Sequence, residues 1–176
     1  MKKIAILRGI NVGGRRKLPM AELKELCAEL GLTDVRTYIQ SGNIIFSSPI
    51  SGKDLEVVLE NAIISRFGFD VPVIIRTAEE LQHSVEKNPF YSPKADITAL
   101  HLTLLKDFPA DEDVSCLELP EGISDRFVLQ DKDVFIFCAG KYHKTKLSNA
   151  FFEKKLKVRT TTRNWKTILK LIELSA

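Results

Sequence analysis

Apolar and polar residues alternate from the start of the chain. Lys3 to Arg8 places Ile4 and Ile6 on one side of an extended run, which predicts a strand. It ends in a glycine-rich loop, Gly9-Ile10-Asn11-Val12-Gly13-Gly14-Arg15-Arg16-Lys17. The period then changes. Met20, Leu23, Cys27 and Leu30 recur at helical spacing after Pro19, and Gly31 stands where a left-handed C-terminal cap is wanted. Val35 to Gln40 and Asn43 to Ser47 return to β-prone composition around Ser41-Gly42, the spacing of a tight hairpin. A second helix, capped by Ser51, carries Leu55, Leu59, Ala62 and Ile63 on one face and stops at Gly68. Val71 to Arg76 is the fourth strand. Pro72 has no amide to donate, so this strand belongs at a sheet edge.

The same order recurs after a break. Thr77-x-x-Glu80 is a capping box for a helix with Leu81 and Val85, and Asn88-Pro89-Phe90-Tyr91-Ser92-Pro93 interrupts regular structure. Thr98 to Leu105 reads as a strand and Ala110 to Leu119 as a helix stopped by Pro120. Arg126 to Gln130 and Asp133 to Cys138 make a hairpin around Asp131-Lys132. A helix through Leu147, Phe151 and Leu156, a β-prone Val158-Arg159-Thr160, and a terminal helix with Trp165, Ile168, Leu169 and Ile172 complete the chain. A twice-repeated βαββαβ order predicts an α+β protein of two ferredoxin-like halves, each an antiparallel sheet with helices on one face. The expected division is 1–77 for the first half, 78–96 for a connecting helix and proline-containing linker, and 97–176 for the second half with its C-terminal helix.

Composition narrows the class. Of 176 residues, 44% are hydrophobic and 28% charged, which suits a globular protein, and no apolar run nears the roughly 20 residues that cross a bilayer. No membrane association is expected. The opening Met1-Lys2-Lys3-Ile4 leads into no signal-length apolar segment, and Cys27, Cys116 and Cys138 form neither a disulfide framework nor a CxxC spacing, so a reducing cytoplasm is expected. His83, His101 and His143 lack metal-ligand spacing, and no metal or cofactor is expected. A net charge of +3 does not require a nucleic-acid partner, although local cationic clusters can steer an anionic one.

A split βαβ sheet puts its third strand between the first two and antiparallel to them. The end of strand one (Arg8, Gly9, Asn11), the end of strand two (Tyr38, Gln40) and the start of strand three (Ser41, Gly42, Asn43) should therefore meet at one edge. Three segments carry a resemblance. Leu7-Arg8-Gly9-Ile10-Asn11-Val12-Gly13-Gly14, Thr37-Tyr38-Ile39-Gln40-Ser41-Gly42-Asn43 and Thr161-Thr162-Arg163-Asn164-Trp165 with Thr167 resemble the signature blocks of an uncharacterised bacterial family, domain of unknown function 1697. The resemblance implies a fold, no activity, and a surface shared by the blocks, with Lys146-Leu147-Ser148 contributing.

Each polar group has a ligand reading and a plainer one. Gly9, Gly13 and Gly14 before a helix suit a phosphate, with Arg15, Arg16 and Lys17 adding charge, yet the segment is neither GxxxxGK[ST] nor GxGxxG and also suits a flexible turn. Ser41-Gly42-Asn43 offers a hydroxyl and an amide, and is equally turn chemistry. Thr161, Thr162, Arg163 and Asn164 combine hydroxyls, a guanidinium and an expected helix start; the plainer reading is an N-cap. Lys141, His143, Lys144 and Lys146 around Tyr142 form a basic stretch or a solvated loop. The blocks hold no Asp or Glu, so acid or base chemistry would fall to Tyr38, a histidine or the substrate. RNA stacking would want aromatics on the central strands, and the first half offers only Phe46 there. The leading expectation is a phosphate-bearing ligand, nucleotide or nucleic acid, contacted by Arg8, Asn11, Asn43 and Arg163. An enzyme acting on a phosphorylated metabolite and a structural or homodimerising protein are the alternatives.

Overall fold

A computed structural model describes residues 1–176. The chain forms two compact units, residues 1–82 with 170–176, and residues 83–169.

The first unit runs β1 (Lys2–Leu7), α1 (Met20–Glu29), β2 (Thr33–Tyr38), β3 (Asn43–Ser47), α2 (Gly52–Phe67) and β4 (Val73–Arg76), followed by the start of α3 (Ala78–Lys87). Its antiparallel sheet has the order β2-β3-β1-β4, with β3 between β1 and β2 as a split βαβ unit requires. Ala5, Leu7, Ile44, Phe46, Val73 and Ile75 share one sheet face and pack with Leu23, Cys27, Leu55, Leu59 and Ile63 of the helices. The caps follow local chemistry. Ser51 Oγ accepts from the Asp54 amide, Gly31 and Gly68 take left-handed φ values of 76° and 79°, and Thr77 and Glu80 exchange both bonds of a capping box.

β4 lies at an edge, where Pro72 is harmless, and its outward amides are closed by a helix. Arg8 N donates to Pro72 O, so Ile74 and Arg76 face β1 while Val73 and Ile75 face outward. Glu60 Oε1 accepts from Val73 N and Glu56 Oε1 from Ile75 N, each at 2.9 Å. Two carboxylates of α2 thus occupy donors that would otherwise attract another strand.

The second unit runs β5 (Leu100–Leu105), α4 (Asp111–Ser115), β6 (Arg126–Gln130), β7 (Asp133–Phe137), α5 (Asn149–Leu156) and β8 (Thr160–Asn164), leading into α6 (Trp165–Ser175). Its sheet order, β6-β7-β5-β8, repeats that of the first. Leu105, Val134, Ile136, Leu147, Phe152 and Leu156 form the core beneath α5. Trp165 is fully buried with its ring 5.3 Å from Tyr91. Phe135 is buried, and Phe137 packs with Phe90 under the Arg126 guanidinium.

Several expected boundaries move. β2 ends at Tyr38, not Gln40, and Tyr38 pairs with Asn43, so the hairpin loop is Ile39 to Gly42 and not Ser41-Gly42 alone. Ile39 and Gly42 bend it with φ of 53° and 81°. β4 begins at Val73 instead of Val71. The strand expected from Thr98 starts at Leu100, because Asp96 caps a 3-10 turn over Ile97–Ala99. The helix expected over Ala110 to Leu119 stops at Ser115; none of its five residues is buried, so packing does not extend it. Thr161 to Asn164 is strand β8, not a helix start: paired with Leu104 to His101, its threonines follow their β preference. Asn164 alone caps, its Oδ1 accepting from Thr167 N. Cys27 and Cys138 are buried and Cys116 is exposed.

Candidate functional site

In the first unit the loops at the ends of β1 and β2 and the start of β3 meet. Leu7 N donates to Gly42 O at 2.8 Å, and Asn11 stitches the cluster together. Its Nδ2 donates to Leu18 O (3.0 Å) and Gln40 O (2.9 Å), while its Oδ1 accepts from Leu18 N (2.9 Å). Both amide protons and the carbonyl are therefore committed to the loop. Asn43 is fully buried, donating to Tyr38 O (2.9 Å) and Ser41 Oγ (3.2 Å), which closes the β2–β3 turn. Gly42 leaves no room for a side chain, since a Cβ there would lie 2.5 Å from Ile10 Cδ1 and 2.9 Å from Leu7 Cβ. Tyr38, Ser41 and Arg8 are half-buried around this platform.

Above it stands a small hairpin. Arg15 N donates to Val12 O (3.0 Å) and Asn11 N to Arg16 O (3.1 Å), and Gly13 and Gly14 take φ of 58° and 73°. Two left-handed residues between bridged neighbours make a type I′ turn. The glycines therefore do not cradle the start of α1, which begins at Met20 behind Pro19. The tip is open: a Cβ on Gly13 or Gly14 would meet nothing within 4 Å, and Val12 is 65% exposed. Arg15, Arg16 and Lys17 are all exposed on the return arm, with the Arg16 guanidinium beside Gly9, 3.5 Å from where its Cβ would be. A hollow of about 230 Å³ at the opposite end of this sheet, edged by Lys2, Asp34 and Arg36, holds none of the signature residues.

The third block and Lys146 belong to the second unit. Thr103 and Thr162 hydroxyls lie 2.7 Å apart. Thr162 gives its proton to Asn149 Oδ1 (2.9 Å), so Thr103 is the donor of that pair. Thr160 donates to the same Oδ1 at 2.9 Å, and its amide donates to Glu153 Oε1 at 2.9 Å. Asn149, the first residue of α5, is thereby tied to β8. Arg163 points from the other side of the strand and is only 8% exposed, with Nη1 donating to Thr161 Oγ1 (3.1 Å) and Thr162 O (2.9 Å). Burial pulls its pKa down to about 10, the Tyr142 phenol acting in the opposite sense. Lys146 is exposed, its ammonium donating to Glu121 O, and Tyr142 stacks on His101 at 4.3 Å. Burial lowers the His101 pKa.

The first and second blocks meet as the split βαβ order predicts. The scaffold acceptors Glu56, Glu60, Glu153 and Asn149 were not legible in the sequence; their partners lie 7 to 19 residues away on other elements. On the central strands, Phe46 and Phe135 are fully buried and so are closed to base stacking.

No curated protein matches the chain by sequence. Among solved structures, the conserved bacterial protein SP0830 from Streptococcus pneumoniae is similar over 99% of this chain and 98% of its own, at 27% identity and a TM-score of 0.77. The family described as "Protein of unknown function (DUF1697)" matches residues 1–135, a span that takes in the first two signature blocks. The chain belongs to the DUF1697 family.

Proposed function

We propose that the protein binds a phosphate-bearing ligand, a nucleotide or a nucleic acid, at the Gly9–Lys17 hairpin of the first unit. The observation that carries this reading is the run of three exposed cations, Arg15, Arg16 and Lys17, on a hydrogen-bonded turn whose glycine tip is open. None of the three forms a salt bridge. Cations held on a stiff turn and not neutralised by neighbouring carboxylates make a field that attracts phosphate. Arg8 borders the same platform. Asn11 and Asn43, expected as direct contacts, serve this reading as scaffold, because their amides are engaged in the loops. Arg163 is buried on the second unit and is assigned no contact.

Fluorescence anisotropy with a labelled single-stranded oligonucleotide, challenged by a nucleoside triphosphate over a salt series, tests the reading. Binding that weakens steeply with salt and disappears in an Arg15→Ala/Arg16→Ala/Lys17→Ala variant supports it. Undiminished binding by that variant removes the hairpin from the site. Competition by the triphosphate at concentrations comparable to the oligonucleotide identifies a nucleotide site, and its failure identifies nucleic acid.

A further inference from the structure

The strand edges of the two sheets are finished differently. The β4 edge is capped by Glu56 and Glu60, and β8, its counterpart, by Glu153 on Thr160 N. β2 carries a register shift between Thr33 and Arg36, with Asp34 at a φ of 54°, which bends an edge away from pairing. β6 has none of these devices.

Its open groups follow from the register. Leu105 N donates to Lys132 O and Cys138 N to Ala99 O, so Val134 and Ile136 direct their backbone to β5, and Asp133, Phe135 and Phe137 direct theirs to β6. Val128, opposite Phe135, and Gln130, opposite Asp133, are thereby spent on β7. The amides and carbonyls of Phe127 and Leu129 point outward, and no hydrogen bond reaches them. The strand keeps one register along its length, and Phe127 and Leu129 pack against the core beneath α5.

We infer that this edge pairs with the same edge of a second copy, β6 against β6 antiparallel, joining two sheets into one. The sequence Arg126-Phe127-Val128-Leu129-Gln130 is self-complementary about Val128. With Val128 on the two-fold axis, Phe127 faces Leu129 twice, and these are the residues whose backbone is free, so each pair makes both bonds of a hydrogen-bonded site. Arg126 then faces Gln130, whose amide oxygen accepts from a guanidinium. The next pair outward sets Asp125 against Asp131. Asp131 is already neutralised by Lys87 at 2.8 Å, and Asp125 accepts from Ala139 N and the Thr145 hydroxyl, so neither end presents a bare carboxylate. Val128 meets Val128 in a non-hydrogen-bonded pair, where side chains approach most closely. A two-strand seam is at the small end of protein interfaces, so the dimer forms and dissociates with concentration.

Val128 is half-buried and takes no part in the core cluster beneath α5, which makes charge substitution there a test of the seam. Sedimentation velocity over a hundredfold concentration range should show a monomer–dimer equilibrium for the unaltered chain. Val128→Lys and Val128→Glu each set like charges together at the axis and should be monomeric throughout, while an equimolar mixture of the two should regain the dimer. Recovery in the mixture shows that both variants fold. A monomer at every concentration, or a dimer that survives either substitution alone, overturns the inference.

Discussion

Asn11 donates from its side chain to the carbonyl of Gln40, 2.9 Å away and 29 residues further along the chain. With its two bonds to Leu18, this contact makes one side chain the junction of the β1 loop, the approach to α1 and the β2–β3 turn. Asn11 also sits at a φ of 56°, a region asparagine tolerates better than most residues. Asn11→Ala should destabilise the protein by about 2–4 kcal/mol, from three lost bonds at about 1 kcal/mol each with some unpaired backbone. Urea unfolding measures this, and a loss below about 0.5 kcal/mol would show that the loops hold without it.

Gly42 and Ile10 should be energetically coupled. Gly42→Ala puts a methyl against Ile10 Cδ1 and Leu7 Cβ at a φ of 81°, so overpacking and left-handed strain together should cost about 2–5 kcal/mol. In a double-mutant cycle, Ile10→Ala should recover about 1 kcal/mol or more of that cost. Strict additivity would place the strain in the backbone alone.

The carboxylates of α2 should stabilise β4 and protect its edge. Glu56 is 3% exposed, and replacing Glu56 and Glu60 with alanine leaves two strand amides without acceptors, at about 1–3 kcal/mol each. Light scattering on warming should show earlier aggregation of the double variant. Glu56→Gln keeps an acceptor at the same place and should lie closer to the unaltered chain.

His101 gives stability a pH dependence of known sign. Burial holds its pKa in the folded state below the ordinary 6.5, so between those two values the unfolded chain binds more protons. Its neutral form is fully compatible with folding above about pH 6.5, and stability is lost as pH falls through that value toward the lowered folded pKa. His101→Phe keeps a ring against Tyr142 and removes the titration. Relative to the unaltered chain, this variant should gain stability between pH 7.5 and pH 5.5; a constant difference would show that His101 does not titrate on unfolding.

What the sequence made legible was local. The Thr77–Glu80 box, the Ser51 cap and the Gly31 and Gly68 stops each depend on residues a few positions apart, and they formed as read. The repeated βαββαβ order needed only the alternation of periods. The length of the β2–β3 loop did not emerge, because it is set by Asn43 folding back on Tyr38 O. Thr161 to Asn164 misled because threonines and asparagine serve caps and strands alike, and pairing with β5 decides between them. The glycine loop was legible as a turn, but not the Val12–Arg15 and Asn11–Arg16 bonds that make it a hairpin with a type I′ tip. The carboxylate caps of β4 and β8 lay beyond reach because they join different elements.

Thermal unfolding with and without inorganic tripolyphosphate at low salt reads out whether the Arg15–Lys17 arm binds phosphate. At 100 times its dissociation constant a ligand adds about 2.7 kcal/mol of stability, a readily measured rise in Tm. That rise is expected for the unaltered chain and should be lost in the Arg15→Ala/Arg16→Ala/Lys17→Ala variant, whose own Tm should be unchanged because the three side chains are exposed. An equal rise in both proteins, or none in the unaltered chain, would show that the arm does not bind phosphate.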